Sequence, residues 1–271
     1  MKPDMSEFTY GFALTAELLW APGVPFVALP VFPSLTFEGG PGGGWDVKIP
    51  RTTIPLFLQF KISDFMKRGS CKEAQQGFAV PCYRMHFRPA RISEQHERLL
   101  ALESNSQEVY YCAPAFHRTS ELDQAFLKRQ IGARSLWLRP SEVGALPDDD
   151  DHSFSFRLGG PYAFFSERRD VEVRSFESVG RHIVARHRRE GVAMDSLDYW
   201  RHLAGLIQEI AGRRRRDGAA FDATAPNEQP VRRVAYYAAV LLNAQLCLAW
   251  EREGAAAQQE DGRVGDLRGT P

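Results

Sequence analysis

The sequence predicts a mixed α/β protein, and three observations carry that prediction. Residues 45–63, WDVKIPRTTIPLFLQFKIS, hold two stretches that alternate at the period of a β-strand. Further short alternating or apolar stretches at 82–87, 109–113 and 136–138 are interleaved with segments of helical spacing. From about Phe176 onward, helical spacing dominates.

In chain order, Ser6–Trp20 reads as a helix with Ser6 or Asp4 as its cap. Phe8, Phe12 and Leu19 fall near one face and Glu17 lies away from them. Four prolines among apolar residues make 21–33 extended and buried. Leu35–Glu38 is a short strand, and GGPGGG at 39–44 is a flexible turn lacking the Lys-Ser/Thr of a phosphate-binding P-loop. In the central hairpin, Trp45, Val47 and Ile49 share one face of the first strand, with Asp46 and Lys48 opposite. Leu56, Leu58, Phe60 and Ile62 share one face of the second, with Phe57, Gln59, Lys61 and Ser63 opposite. Pro50 and Pro55 are expected to bracket the connection and stay out of the ladder.

Residues 64–80 are polar and irregular, and Cys82–Phe87 alternates as a strand ended by Pro89. Ser93 caps a helix through about Ser104, where His96 is either a boundary histidine or one that reaches toward a site. Val109–Ala113 reads as a buried strand, Ser120 as the cap of a helix over Glu121–Arg129, and Leu136–Leu138 as another strand. The acidic run 148–151 before His152 reads as a solvated loop. Phe154–Arg157 and Val171–Phe176 are expected as strands joined by Gly-rich turn chemistry. Helices follow from Phe176 and, capped by Ser196, over Leu197–Ile210, with Arg213–Arg216 at the negative end of the latter. After a polar linker at 218–229, Val231–Trp250 is apolar nearly all round and reads as a third helix that serves the core or an oligomer contact. Asn243 and Gln245 within it speak against a membrane span. The domain expectation is therefore 1–158 as an α/β domain, 159–252 as a mainly helical region, and 253–271 as a disordered tail.

Composition narrows the function classes. The 271 residues are 44% apolar and 25% charged, which suits a globular chain. Thirty-four basic residues balance 34 acidic ones, which argues against extended, unspecific duplex binding and leaves room for a local basic groove. Cys71, Cys82, Cys112 and Cys247 show no CxxC spacing, so neither a zinc site nor a disulfide framework is expected. Scattered free thiols, with no apolar leader at the N-terminus, suit the cytoplasm.

The chemistry is concentrated in the central hairpin. A carboxylate at Asp46 near the amide oxygen of Gln59 offers oxygen ligands of the kind that Mg²⁺ or Mn²⁺ takes. Lys61 shares the face of Gln59 and can orient a water or offset phosphate charge. The spacing Asp46-x12-Gln59-x-Lys61 resembles the active-site signature of the PD-(D/E)xK, or restriction-endonuclease-like, nucleases, in the Mrr-like variant that carries Gln-x-Lys. The resemblance spans roughly residues 6–139 in element order, helix, strands, helix, strand. It implies a restriction-endonuclease-like mixed sheet, a Mg²⁺- or Mn²⁺-dependent nuclease acting on DNA or RNA, and a role in defence against foreign nucleic acid. It also implies that Asp46, Gln59 and Glu17 hold the metal, with Lys61 completing the catalytic set. Arg213, Arg214, Arg215 and Arg216 would form a nucleic-acid-binding edge. The competing readings are a catalytically inactive scaffold or interaction subunit docking through 231–250, and an unrelated α/β domain binding a small ligand around 21–44.

Overall fold

The computed structural model describes residues 1–21, 23–31, 52–89, 91–160, 162–164, 169–171, 173–193, 196–212 and 230–252. The expected strands 35–38 and 45–49, the glycine turn 39–44, Arg213–Arg216, the linker and the tail all lie outside the described residues.

A mixed sheet organises the chain. Its strands are β1 (Phe26–Pro30), β2 (Thr52–Phe60), β5 (Glu108–Pro114), β6 (Ser135–Leu138) and β11 (Gln245–Glu251), in the order β1-β11-β2-β5-β6. The pair β2/β5 is parallel and every other neighbour is antiparallel. A two-residue strand, β10 (Val192–Ala193), extends the sheet beside Thr52 and Thr53. A second, antiparallel sheet follows chain order: β3 (Asp64–Met66), β4 (Cys82–Phe87), β7 (His152–Phe156), β8 (Tyr162–Phe164) and β9 (Arg169–Asp170).

Period-two alternation divides the main sheet between two cores. Leu56, Leu58, Tyr110, Cys112 and Trp137 pack on the side of α1 (Glu7–Trp20) and α6 (Phe176–Glu190). Phe57, Val109, Tyr111, Leu246 and Leu248 pack on the other side. There they meet α3 (Gln95–Ser104), α7 (Leu197–Gly212), α8 (Pro230–Leu241) and the inner face of β4 and β7. Burial on both faces makes β2 and β5 read as nearly continuous apolar runs, as buried parallel strands do.

Helix α1 starts as expected, with the Ser6 Oγ accepting the Thr9 N–H at 3.0 Å. Its orientation is set by Gly11. A Cβ there would come within 2.5 Å of the Phe60 ring, so only glycine lets the helix lie this close to the end of β2. That approach buries Tyr10, Ala13, Leu14 and Leu18 and turns Phe8 and Phe12 outward, 79% and 61% exposed.

Several expectations are corrected. The run 231–250 is not one helix: α8 stops at Leu241, and 245–251 is a strand in the middle of the main sheet. Asn243 adopts φ 49°, and the Ala244 N–H turns back to the Ala238 carbonyl at 2.9 Å, which ends the helix. Val234, Ala235 and Ala238 of this helix join the core and the Tyr237 hydroxyl accepts from Gln208 at 2.8 Å, while Val240 stays 53% exposed. The division near 158 is not how the strands are distributed, because β11 sits between β1 and β2, while β8 and β9 complete the second sheet. Pro55 lies inside β2, opposite Leu248 of β11. Pairing with β10 ends at Thr53 and pairing with β5 begins at Leu56, so on that side no ladder donor is lost. None of the described residues in the expected strand Val171–Phe176 is in a strand; Ser175 caps α6 instead. The helix after β5, α4 (Thr119–Leu127), starts ahead of Ser120, with the Glu121 carboxylate accepting the N–H groups of His117 and Arg118, each at 2.9 Å. Among the described residues, no helix is long and apolar enough to cross a membrane.

Candidate functional site

The site grows from the C-terminal end of β2. Alternation sends Phe57, Gln59 and Lys61 to the α3 side of the sheet, and the Lys61 N–H donates to the Cys112 carbonyl at 2.9 Å. This anchors Lys61 at the head of the only parallel strand pair among the described residues. Gln59 is buried. Its Nε2 donates to the Phe60 carbonyl at 2.8 Å, and its Oε1 accepts from Gln95 Nε2 at 2.7 Å. Gln95 sits in the first turn of α3; its Oε1 accepts from Lys61 Nζ at 2.9 Å, and its Nε2 also reaches the Leu242 carbonyl at 3.3 Å. One amide therefore ties together the two motif residues and the turn after α8.

Lys61 faces a cleft of about 440 Å³ whose ionisable lining is Lys2, Glu7, Lys61, Asp64, His86, Arg88 and Arg98. Asp64 is already shared: Lys2 Nζ lies 3.0 Å and His86 Nε2 3.2 Å from its Oδ2. Burial works against ionisation of Asp64, but those two partners outweigh it and hold its carboxyl below the usual range. Arg98 donates to the Leu241 carbonyl at 2.9 Å and to Glu94 at 2.8 Å. Lys61 and Arg88 are the lining cations without a carboxylate hydrogen bond among the described residues. Burial pushes the Lys61 ammonium pKa down, Glu7 pulls it back up, and Arg88 adds to the depression.

Glu17 does not join them. It is buried on α1, ten residues and roughly 15 Å of helix beyond Glu7. Its two oxygens accept the N–H groups of Ile131 and Gly132, at 2.6 and 3.0 Å. Burial raises its pKa and the two amides partly offset the rise. Glu17 is thus not an exposed carboxylate; it fastens the loop ahead of β6 to α1. His96 is likewise structural, with its Nδ1 2.9 Å from the Tyr111 hydroxyl and its Nε2 2.7 Å from the Gly144 carbonyl. His152 is buried and lies against Asp148 of the acidic run, whose other residues are exposed.

Asp46 and Arg213, Arg214, Arg215 and Arg216 lie outside the described residues. Among the described residues, no three of His, Cys, Asp and Glu stand together as a metal site. The amide oxygen that Gln59 offers already accepts from Gln95. Of the expected ligands that are described, Glu17 is bonded to the Ile131 and Gly132 amides and Gln59 to Gln95.

A contrasting charge lies on the neighbouring strand. Glu108, at the start of β5, is buried and ringed by cations. Arg186 Nη1 lies at 2.5 Å, His182 Nε2 at 2.9 Å and Arg139 Nη2 at 3.1 Å, and the Tyr110 hydroxyl donates at 3.1 Å. Burial alone would raise its pKa, yet Arg186, Arg139 and His182 together hold it below the usual range.

The residues missed from the sequence are Gln95, Glu7, Arg88 and Arg98. Gln95 left one faint signal, a polar residue at the first turn of the helix that leads toward β5. Comparison with protein-family models, with curated proteins and with solved structures returns no match.

Proposed function

We propose that this chain is a nucleic-acid phosphodiesterase whose reaction centre is the Lys61 cleft. The observation that supports it is the placing of Gln59 and Lys61. Both leave the end of β2 on one face, and the half-buried ammonium opens on a cleft while bonded only to a neutral amide. A partly desolvated cation with no anionic hydrogen-bond partner favours an anionic ligand. A phosphodiester supplies one, and its negative charge redistributes over the phosphoryl oxygens as the attacking water adds and the bridging oxygen leaves. In this reading Lys61 neutralises that charge, Gln95 holds the ammonium in line, and Gln59 sets the orientation of Gln95. The part given to Lys61 does not depend on an ion. Mg²⁺ or Mn²⁺, DNA or RNA as substrate, and a role in defence belong to the same proposal through the Gln-x-Lys resemblance, with Asp46 as the carboxylate such an ion would require.

A second reading, a scaffold without catalysis, draws on the neutral Gln59 and on Glu17 being fully engaged elsewhere. Purified protein incubated with labelled plasmid, single-stranded DNA and RNA in Mg²⁺, Mn²⁺ or EDTA separates the two. The expected outcome is metal-dependent cutting that disappears in Lys61→Ala and in Asp46→Ala. Cutting that survives Lys61→Ala refutes the assignment, and a folded wild type that cuts nothing favours the scaffold.

A further inference from the structure

Beside the cationic cleft runs a second one of about 410 Å³, and the two share Glu7 and Asn243 on their rims. Its character is different. Phe8, Gly11 and Phe12 of α1 form one wall, with Phe60 behind them and Ala239 and Ala244 across. Phe8 and Phe12 are 79% and 61% exposed. They stand one helical turn apart, about 6 Å along the axis, and successive bases of an extended strand are spaced on much the same scale. Phe60 is held firmly, edge-on to Tyr10 at 6.1 Å and 89°.

We propose that the strand taken by the Lys61 cleft is single-stranded nucleic acid, its phosphates beside Lys61 and Arg88 and its bases stacked on Phe8 and Phe12. This rests on the phosphate-binding reading above and adds the substrate class. Aromatic faces accept any unpaired base, whereas the bases of a duplex are already stacked on one another. A chain with 34 basic and 34 acidic residues cannot rely on charge alone to hold a polyanion, so stacking has to supply part of the affinity. A cationic groove continuous with exposed aromatic rings has both components.

The test is fluorescence anisotropy in EDTA, so that nothing is cut. The probes are labelled oligothymidine, a duplex of the same length, and an abasic deoxyribose-phosphate strand. Wild type is expected to bind oligothymidine most tightly. Phe8→Leu with Phe12→Leu keeps a helix-forming, apolar side chain at each position but removes the rings; it is expected to weaken oligothymidine binding by about tenfold per ring. Binding to the abasic strand should not change, and neither should the melting temperature. Phe8→Tyr with Phe12→Tyr should restore oligothymidine binding, and Lys61→Ala should weaken all three probes. Any of these binding results overturns the inference: a duplex bound as tightly as oligothymidine, a Leu variant that binds oligothymidine like wild type, or a Leu variant that loses the abasic strand equally. A concentration-dependent dimer that the Leu variant dissociates, without oligothymidine binding, also overturns it and assigns the face to a second copy. Ring-dependent binding without any cutting keeps this inference and removes the catalytic reading. Duplex cutting indifferent to Phe8 and Phe12 does the reverse.

Discussion

Glu108 and Lys61 lie on adjacent parallel strands, and their surroundings are opposite. Glu108 is fully buried at the start of β5 and has two arginines, a histidine and a tyrosine hydroxyl on its two oxygens. Lys61 lies just past the end of β2 and has one neutral amide. The two positions are five residues apart along the register, since Glu108 pairs with Leu56, which is roughly 16 Å of strand. A charge whose partners are all supplied by the fold clamps elements together, here β5 to β6 and α6. A charge whose hydrogen-bond partner is neutral is available to something outside the fold. Burial alone does not tell these apart; the partner count does.

The largest expected effect is on the clamp. Glu108→Ala leaves Arg139, Arg186 and His182 facing each other without their shared anion and should cost about 3–5 kcal/mol of stability. Urea denaturation reads this directly. A loss under about 1 kcal/mol would mean that Glu108 is not the hub of the cluster and would break the comparison.

Glu17→Ala comes next. It removes the acceptor for two buried backbone donors, Ile131 and Gly132, and should cost about 1–3 kcal/mol. If Glu17 instead held a catalytic ion, Glu17→Gln would abolish cutting while barely moving the denaturation midpoint. The structural role predicts the opposite ordering, with stability affected in both variants and cutting kept wherever the protein stays folded.

The pH dependence sharpens the contrast further. Glu108 has a folded pKa below its unfolded value of about 4.3. Between the two values the unfolded chain binds more protons, so stability is complete above about pH 4.3 and is lost as pH falls through the lowered folded pKa. Lys61 has a folded pKa below its unfolded value of about 10.4, so its contribution to stability rises as pH climbs through that lowered pKa toward 10.4. Denaturation midpoints across pH should lose the acid limb in Glu108→Gln and the alkaline gain in Lys61→Met.

The smallest stability effect belongs to Lys61→Met at neutral pH, within about 0.5 kcal/mol of wild type or slightly stabilising, because a half-buried charge with one neutral partner gives the fold little. A destabilisation comparable to Glu108→Ala would show that Lys61 is structural.

Much of this was legible from the residues. Ser6 as the cap of α1, the strands around 82–87, 109–113 and 136–138, and the shared face of Gln59 and Lys61 follow from capping chemistry and period-two alternation, which act over a few neighbouring residues. Other features had no local signature. A buried strand and a buried helix are both apolar on every side, so 245–251 looked like a continuation of α8, and only the left-handed Asn243 separates them. The strand finds its place between β1 and β2, more than 180 residues back in the chain. Helix α1 carries apolar residues around its whole circumference; which side is buried was decided by Gly11 meeting Phe60, and that meeting exposed Phe8 and Phe12 and turned Glu17 inward onto Ile131 and Gly132. Gln95 became the link between Gln59 and Lys61 only when α3 settled across the end of β2. The sequence alone determined which residues alternate, cap and carry charge, because those depend on near neighbours. Tertiary packing decided which charges found partners, because partners distant in the chain meet only once the sheet has closed.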